Sequence, residues 1–220
     1  MTISNDARSR VKRTFEPIAL AMGRLGLTPD ALTLIGFGIT VLAAVLLGAE
    51  LWLIGGLVVF IGGAFDMFDG TLARATGQVS PLGAFMDSVF DRWGEALVYL
   101  GLVVGLERTG FSLGVYLAAA AMGAAFLVSY TRAKSEGLGF SAGTGMAEVG
   151  LMPRELRLVV LTVGLVVAGI LGVGPEATGG SLVLALALGI IAVLAVVTVI
   201  QRVLHTRRVA TERSTASESR

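Results

Sequence analysis

Four stretches of this 220-residue chain are almost entirely apolar and long enough to cross a lipid bilayer. They comprise residues 31–49, 109–131, 158–175 and 177–200. A hydrocarbon layer ~30 Å thick needs about 20 helical residues, and buried helices of soluble domains seldom carry uninterrupted apolar runs of that length. The mean hydropathy of +0.83 agrees with this. The sequence therefore predicts an integral membrane protein.

Two further segments, residues 51–76 and 81–106, are apolar at one end and charged at the other. With them, the chain is predicted to be all-α, with six transmembrane helices within residues 26–206. Short connections make neighbouring helices antiparallel, so the two charged ends lie on the same side. Nearly all lysines and arginines fall on that side, with Arg108 on the other. By the positive-inside rule, both termini and the charged helix ends are cytoplasmic.

The two ends of the chain have different patterns. Apolar residues recur at helical spacing among basic ones in residues 1–25, which predicts an N-terminal amphipathic interfacial helix, with a disordered basic leader as the alternative. Those apolar residues are Val11, Phe15, Ile18, Met22 and Leu25. Residues 207–220 are polar, mixed in charge and rich in Ser and Thr, which predicts a disordered cytoplasmic tail.

The charged ends of the two mixed segments carry four aspartates at helical spacing. One face of the first helix holds Asp66, Asp69, Gly70, Ala73 and Arg74, and one face of the second holds Gly83, Asp87 and Asp91. Ionisable groups at membrane depth are costly and usually mark a site. Four neighbouring carboxylates repel one another unless cations neutralise them, and oxygen ligands favour Mg²⁺ or Mn²⁺. The pattern predicts a two-ion site suited to displacement at phosphorus.

The small and basic residues beside the aspartates fit that chemistry. Gly70 and Gly83 leave room for a substrate, and the fork of Arg74 suits phosphate oxygens. Three alternatives remain: a structural network of the aspartates with Arg74 and Arg92, a divalent-cation transporter, and an intramembrane prenyltransferase. The absence of cysteine excludes disulfides and thiolate chemistry, and a net charge of +1 gives no reason to expect a nucleic-acid partner.

The whole motif resembles the signature of the CDP-alcohol phosphatidyltransferase family. It reads Asp66-x-x-Asp69-Gly70-x-x-Ala73-Arg74, then eight residues, then Gly83-x-x-x-Asp87-x-x-x-Asp91. The resemblance implies an integral-membrane enzyme, usually a homodimer, that transfers a phosphatidyl group from a CDP-linked lipid such as CDP-diacylglycerol to an alcohol and releases CMP. It also implies that all four aspartates bind metal and that Asp91 deprotonates the acceptor hydroxyl. Gly70, Ala73 and Arg74 correspond to positions lining the nucleotide and its diphosphate.

A second family feature is a Pro-Asn-x-x-Thr turn near the nucleotide at the start of the first span. This chain has Pro29-Asp30-Ala31-Leu32-Thr33, with Asp in place of Asn. Asp30 and Thr33 are therefore candidate nucleotide contacts. Asp30 is equally a candidate helix N-cap.

Candidate acceptor residues lie after the fourth span and at the start of the fifth: Ser129, Arg132, Lys134, Arg154 and Arg157. Several basic groups beside a metal site suit an acceptor that carries its own phosphate, although these residues are equally explained as positive-inside flanking charges. The stretches SYTRAK and PRELRL resemble the phosphatidylinositol phosphate synthase branch of the family. This favours inositol phosphate as acceptor, with glycerol 3-phosphate or another alcohol as the alternative.

Overall fold

The computed structural model describes residues 16–140, 146, 149–175 and 179–218, and these residues form seven helices and no strand. The first, α1, covers residues 16–24. The others are α2 (Pro29–Gly48), α3 (Trp52–Thr76), α4 (Pro81–Arg108), α5 (Ser112–Gly137), α6 (Arg154–Leu171) and α7 (Gly179–Glu218).

Four helices are long and apolar enough to cross a membrane: α2, α3, α5 and the Gly179–Thr215 part of α7. Large apolar side chains remain exposed along them, for example Leu57, Phe60 and Leu186, as expected of a surface that faces lipid. The prediction of an integral membrane protein is thus confirmed. The helices α4 and α6 carry more charge, and their assignment as two further spans remains a prediction.

The six long helices pack in a closed ring in the order α2, α3, α6, α7, α5, α4. The main apolar core lies inside this ring and includes Leu47, Leu102, Leu165 and Leu188. The charged helices α4 and α6 therefore each lie between two apolar ones. Polar residues on α3, α4 and α6 can face one another at one end of the ring, away from lipid.

The short connections bring the end of each helix next to the start of the following one, at alternating ends of the ring. Arg108, at the end of α4, pairs with Glu50, in the turn between α2 and α3, at 3.2 Å. At the opposite end, Gly77 ends α3 with a positive φ of 70°, and Ser80 begins α4 by accepting a hydrogen bond from the N–H of Gly83 at 2.9 Å. The antiparallel order predicted from the short connections is therefore present from α2 to α5.

The Gly101 and Gly105 pair of α4 packs against another helix of the same chain. A Cβ at Gly101 would overlap the carbonyl of Ala44, and one at Gly105 would overlap the carbonyl of Leu47. Both contacts are with α2. This GxxxG spacing, which also occurs at interfaces between membrane-helix dimers, here lets two helices of one chain approach closely.

The structure describes only part of the predicted N-terminal helix, and it differs from the prediction at the C-terminal end. Ala19 of α1 is buried against Leu32, Phe68 and Leu72, so this helix docks on α2 and α3; the predicted helix before residue 16 lies outside the described residues. At the other end, residues 207–218 are helical, in contrast to the predicted disordered tail. No Gly or Pro interrupts the chain after Gly189, and an i,i+4 ion pair between Arg208 and Glu212 at 2.9 Å supports the helix there.

Candidate active site

The four aspartates come together where α3 and α4 face each other at one end of the ring. Asp66 lies within electrostatic reach of Asp87 and Asp91, and Asp87 lies within reach of Asp69. Asp69 is buried, and the side chains of Asp66 and Asp91 are only 19% and 13% exposed. The helical spacing of the motif therefore predicted a real cluster, although the metal roles stay predictions.

The length of α3 sets the depth of this cluster. Trp52, its first residue, lies about 21 Å along the helix axis from Asp66 at ~1.5 Å per residue. A hydrocarbon layer ~30 Å thick that begins near Trp52 would contain Asp66 about 9 Å from its other boundary. The acidic cluster is thus expected within the membrane, in the half nearer to the turn between α3 and α4.

A cavity of about 240 Å³ opens on one side of the cluster. Its lining includes every residue predicted to contact the nucleotide or diphosphate: Asp30, Thr33, Gly70, Ala73 and Arg74. Asp69, Gly83 and Asp87 line it as well. We call it the motif cavity.

The start of α2 supports this cavity directly. Thr33 donates its hydroxyl hydrogen to Asp69 Oδ2 at 2.6 Å, which links the Pro-Asp-x-x-Thr turn to the acidic cluster. The N-cap of α2 is Thr28, whose Oγ1 accepts a hydrogen bond from the N–H of Ala31 at 3.2 Å. The alternative of Asp30 as N-cap is therefore wrong, because Asp30 lies one residue inside the helix and faces the motif cavity.

A larger cavity of about 850 Å³ opens on the other side of the cluster. Its wall includes Asp87 and Asp91 together with Ser129, Arg132, Arg154 and Arg157, four of the five candidate acceptor residues. Lys134 is exposed at the end of α5 and is not part of the described lining. We call this the arginine cavity. Asp87 lines both cavities, so the two cavities adjoin at this residue.

The arginines of this wall are held in different ways. Arg157 is buried and forms a fork with Glu95, with Nε at 2.8 Å from Oε1 and Nη2 at 2.9 Å from Oε2. Its remaining nitrogen donates to the carbonyl of Met152. Arg132 is exposed and, among the residues that the structure describes, its ion pair is with Glu136, one turn along α5, at 3.1 Å. Arg132 is thus free to turn toward a ligand, whereas Arg157 mainly fixes the wall.

Sequence reasoning missed Arg202 as a site residue. It lies on α7, is buried, and lines the arginine cavity. Its guanidinium donates to the carbonyls of Val149 and Val128, so it joins α5, α7 and the segment before α6. In the sequence it is one more basic residue after an apolar span, and only the packing of α7 on α5 brings it to the site.

The donor set fits hard divalent cations, since the cluster offers only carboxylate oxygens from two facing helices. Within the described residues, however, no three acidic side chains are already arranged around one ion position. Arg154 lies between two of them: it donates to Asp66, and its Nη1 is 2.8 Å from Asp91 Oδ2. An ion bound by Asp66 and Asp91 would have to displace this guanidinium.

A helical membrane chain with largely buried carboxylates between two cavities, one of them rich in arginine, has the features of a membrane-embedded phosphotransferase. The model of the CDP-alcohol phosphatidyltransferase family matches residues 26–201, and the chain belongs to this family. It is therefore an enzyme, a phosphotransferase of phospholipid biosynthesis, and the family is metal-dependent. The family inferred from the signature is confirmed.

The relatives are similar over most of their length. Over 200 residues the chain is 34% identical to a phosphatidylinositol phosphate synthase of Cutibacterium acnes. The alignment covers 89% of this chain and 93% of the relative. It is also 34% identical, over 155 residues, to an archaetidylinositol phosphate synthase of Pyrococcus horikoshii, covering 70% and 77%.

Solved structures of a phosphatidylinositol phosphate synthase also match the fold of this chain. A crystal structure of Mycobacterium tuberculosis phosphatidylinositol phosphate synthase with CDP-DAG bound matches with a TM-score of 0.75 and 28% identity, covering 88% of this chain and 94% of that one. A structure of the same enzyme in complex with manganese and citrate matches with a TM-score of 0.74 and 28% identity, covering 87% and 88%. The fold of this chain is thus similar to one that has been solved with CDP-DAG and with manganese bound to the Mycobacterium tuberculosis enzyme.

Proposed function

We propose that this chain transfers the phosphatidyl group of CDP-diacylglycerol to an inositol phosphate and releases CMP. The observation that carries the choice of acceptor is the arginine cavity, in which Arg132, Arg154, Arg157 and Arg202 lie beside Asp87 and Asp91. With Arg92, five arginines line this space, and such a set suits a small anionic acceptor better than a neutral alcohol. The relatives named as inositol phosphate lipid synthases support the same choice.

We assign the two substrates to opposite sides of the acidic cluster, one to each cavity. The donor's CDP group would lie in the motif cavity, where Arg74 and the small residues Gly70, Ala73 and Gly83 leave room beside Asp69. The acceptor would lie in the arginine cavity. Because Asp87 lines both, the reacting hydroxyl and the lipid-bearing phosphorus would meet between Asp87 and Asp91.

In the proposed reaction the acceptor hydroxyl attacks the phosphorus that carries diacylglycerol. A new P–O bond forms to the acceptor, and the bond from this phosphorus to the phosphate oxygen of CMP breaks. Asp91 takes the hydroxyl proton, since it is the motif aspartate that faces the arginine cavity but not the motif cavity. Divalent cations held by Asp66, Asp69, Asp87 and Asp91, two in our proposal, would stabilise charge on the attacking and leaving oxygens.

We further propose that α4 and α6 also cross the membrane, that both termini are cytoplasmic and that the site opens to the cytoplasm. The alternating helix ends and the predominance of basic residues at the site end support this orientation. The soluble acceptor would then enter from the cytoplasm, while the lipid donor enters from the bilayer.

The test is an assay of the purified protein in detergent with Mg²⁺ and radiolabelled CDP-diacylglycerol. The acceptors are inositol 1-phosphate, myo-inositol, glycerol 3-phosphate and serine, each scored by its lipid product and by CMP release. We expect product with inositol 1-phosphate and little with unphosphorylated myo-inositol. A lipid product with glycerol 3-phosphate instead would support the proposed reaction but show that the acceptor is different. The absence of a lipid product with every acceptor would contradict the proposal.

A matched pair of variants tests the role of the arginine cavity. Arg132→Ala removes an exposed arginine from its wall, whereas Lys134→Ala removes a cation two residues away that lies outside it. We expect Arg132→Ala to raise the KM for inositol 1-phosphate about tenfold with a smaller change in kcat, the size of a lost charged hydrogen bond. Equal effects of the two variants on this KM would show that Arg132 does not bind the acceptor and is only a flanking charge that sets membrane orientation.

A further inference from the structure

Arg154 joins the two acidic helices at the centre of the site. It is the first residue of α6, and its guanidinium bridges Asp66 of α3 and Asp91 of α4, two of the proposed metal ligands. The neighbouring arginines do not bridge these two carboxylates. Arg157 is paired with Glu95, and Arg92 donates to the carbonyl of Ser88 at 2.8 Å and lies 3.8 Å from Asp91. The side chain of Arg154 is also 39% exposed and lines the arginine cavity.

A guanidinium and a divalent cation need the same carboxylate oxygens and repel each other. Both cannot bind Asp66 and Asp91 through the contacts seen here, so one must leave for the other to bind. Arg154 can move into open space, because its side chain already borders a cavity of about 850 Å³ that four other arginines also line. Rotation of a long side chain is enough, and α6 need not move.

We propose that Arg154 couples the metal site to the acceptor cavity. Asp66 and Asp91 hold it in the metal-free enzyme, and on metal binding its guanidinium turns into the arginine cavity, where its fork binds the phosphate of the acceptor. Arg154 is thus a positioning and specificity residue that makes acceptor binding depend on prior metal binding. This inference rests on the proposed function, since it uses the metal and acceptor sites assigned there.

The first test measures Mn²⁺ binding to the detergent-purified protein by electron paramagnetic resonance, with no lipid and no acceptor present. Arg154→Gln removes the competing guanidinium, so we expect it to bind Mn²⁺ about tenfold more tightly than the wild type, as for the loss of one charged hydrogen-bonded competitor. Arg154→Lys keeps the charge but not the fork and should fall between the two. Arg154→Gln with unchanged or weaker Mn²⁺ binding overturns the proposal.

Arg92→Gln is the matched control, because it removes the same charge from the same wall but leaves the bridge between Asp66 and Asp91 intact. We expect a clearly smaller gain in Mn²⁺ affinity than for Arg154→Gln. An equal gain would mean that net charge alone sets the affinity, and it would overturn the proposal. Thermal unfolding in EDTA checks the fold: Arg154→Gln should unfold at a lower temperature than the wild type, and Mn²⁺ should remove most of the difference.

The second test measures the coupling itself by titrating inorganic phosphate with and without Mn²⁺. In the wild type Mn²⁺ should increase phosphate affinity, and in Arg154→Gln this increase should be lost. An equal increase in both proteins overturns the coupling. Failure of the wild type to bind Mn²⁺ at all would instead contradict the metal site of the proposed function, so the two failures are distinguishable.

Discussion

At the level of single residues, Asp69 and Asp91 lie on different sides of the acidic cluster. Asp69 is buried, accepts the hydrogen bond of Thr33 and lines the motif cavity. Asp91 lines the arginine cavity and contacts Arg154. Two carboxylates of one motif thus have different surroundings, and substitutions at each should affect different kinetic constants.

Asp91→Asn keeps the size of the side chain but removes the proposed base. We expect kcat to fall by about 10²–10⁴, the range for loss of general base catalysis, with little change in the affinity for CDP-diacylglycerol. Single-turnover rates and donor binding measure the two effects separately. Glu107→Gln, an exposed carboxylate at the far end of the same helix, is the control and should keep full activity. Full turnover by Asp91→Asn would show that another group takes the proton.

Thr33→Val replaces the hydroxyl that binds Asp69 with a methyl group of similar size. The lost hydrogen bond to a charged group corresponds to about 1.5–3 kcal/mol, so we expect catalytic efficiency with CDP-diacylglycerol to fall at least tenfold. Thr33→Ser keeps the hydroxyl and should restore most of the efficiency. If Thr33→Val and Thr33→Ser have the same catalytic efficiency, packing at the start of α2 matters and the hydrogen bond does not.

The sequence predicted residues of the site where helical periodicity was enough to bring them together. Asp66, Asp69 and Arg74 share one face of a single helix, and their neighbour α4 follows after a short turn, so local spacing determines their arrangement. The Glu95–Arg157 fork and Arg202 depend instead on contacts between helices far apart in sequence. Spacing along the chain carries no information on such contacts, and each of these residues alone resembles an ordinary charge at a helix end.

At the level of helices, close packing of α2 on α4 depends on Gly101. A Cβ there would overlap the backbone of Ala44, which cannot move without shifting α2. We expect Gly101→Ala to destabilise the protein by about 1–3 kcal/mol, the usual range for overpacking. Thermal unfolding in detergent measures this loss.

Gly123→Ala on α5 is the matched control, because no described atom beyond the adjacent backbone of α5 itself lies within 4 Å of a Cβ placed there. The better helix propensity of alanine should leave stability unchanged or slightly raised. If Gly101→Ala is tolerated equally well, α2 and α4 are not packed as closely as described.

The end of α7 makes a second contact between helices, with the end of α5. Arg213 donates to the carbonyl of Gly139 and lies 5.6 Å from the ring centre of Phe140, while Ser135 and Thr206 are hydrogen-bonded at 2.9 Å. Polar composition alone predicted disorder there, because a sequence does not show that α5 offers these partners. The helical extension thus supports the segment that follows Arg132 and Glu136 of the arginine cavity.

Arg213→Ala should loosen that segment. We expect faster amide hydrogen exchange in residues 135–140, measured by mass spectrometry, because the mutation removes a hydrogen bond and a cation–π contact. Arg208→Ala is the control: Arg208 pairs with Glu212 on its own helix and should leave residues 135–140 unchanged. Equal exchange in the two variants would show that α7 does not support the end of α5.

At the level of the whole molecule, the closed ring explains how a membrane protein carries so much buried charge. Charged residues of α3, α4 and α6 meet at one end of the ring, where they pair with one another. Hydropathy predicted the apolar spans and the side of the charge. It did not give the ring order, because lipid-facing and ring-facing apolar residues have the same composition.

The proposed orientation can be tested because the chain has no cysteine and single ones can be introduced without background. Val79→Cys lies in the exposed turn between α3 and α4, at the site end, and Glu107→Cys lies at the opposite end of α4. In right-side-out vesicles a membrane-impermeant maleimide should label Glu107→Cys alone, and in inverted vesicles Val79→Cys alone. This result requires α4 to cross the membrane and the arginine cavity to open to the cytoplasm. Labelling of both positions from one side would contradict the span, and the reverse pattern would contradict the orientation.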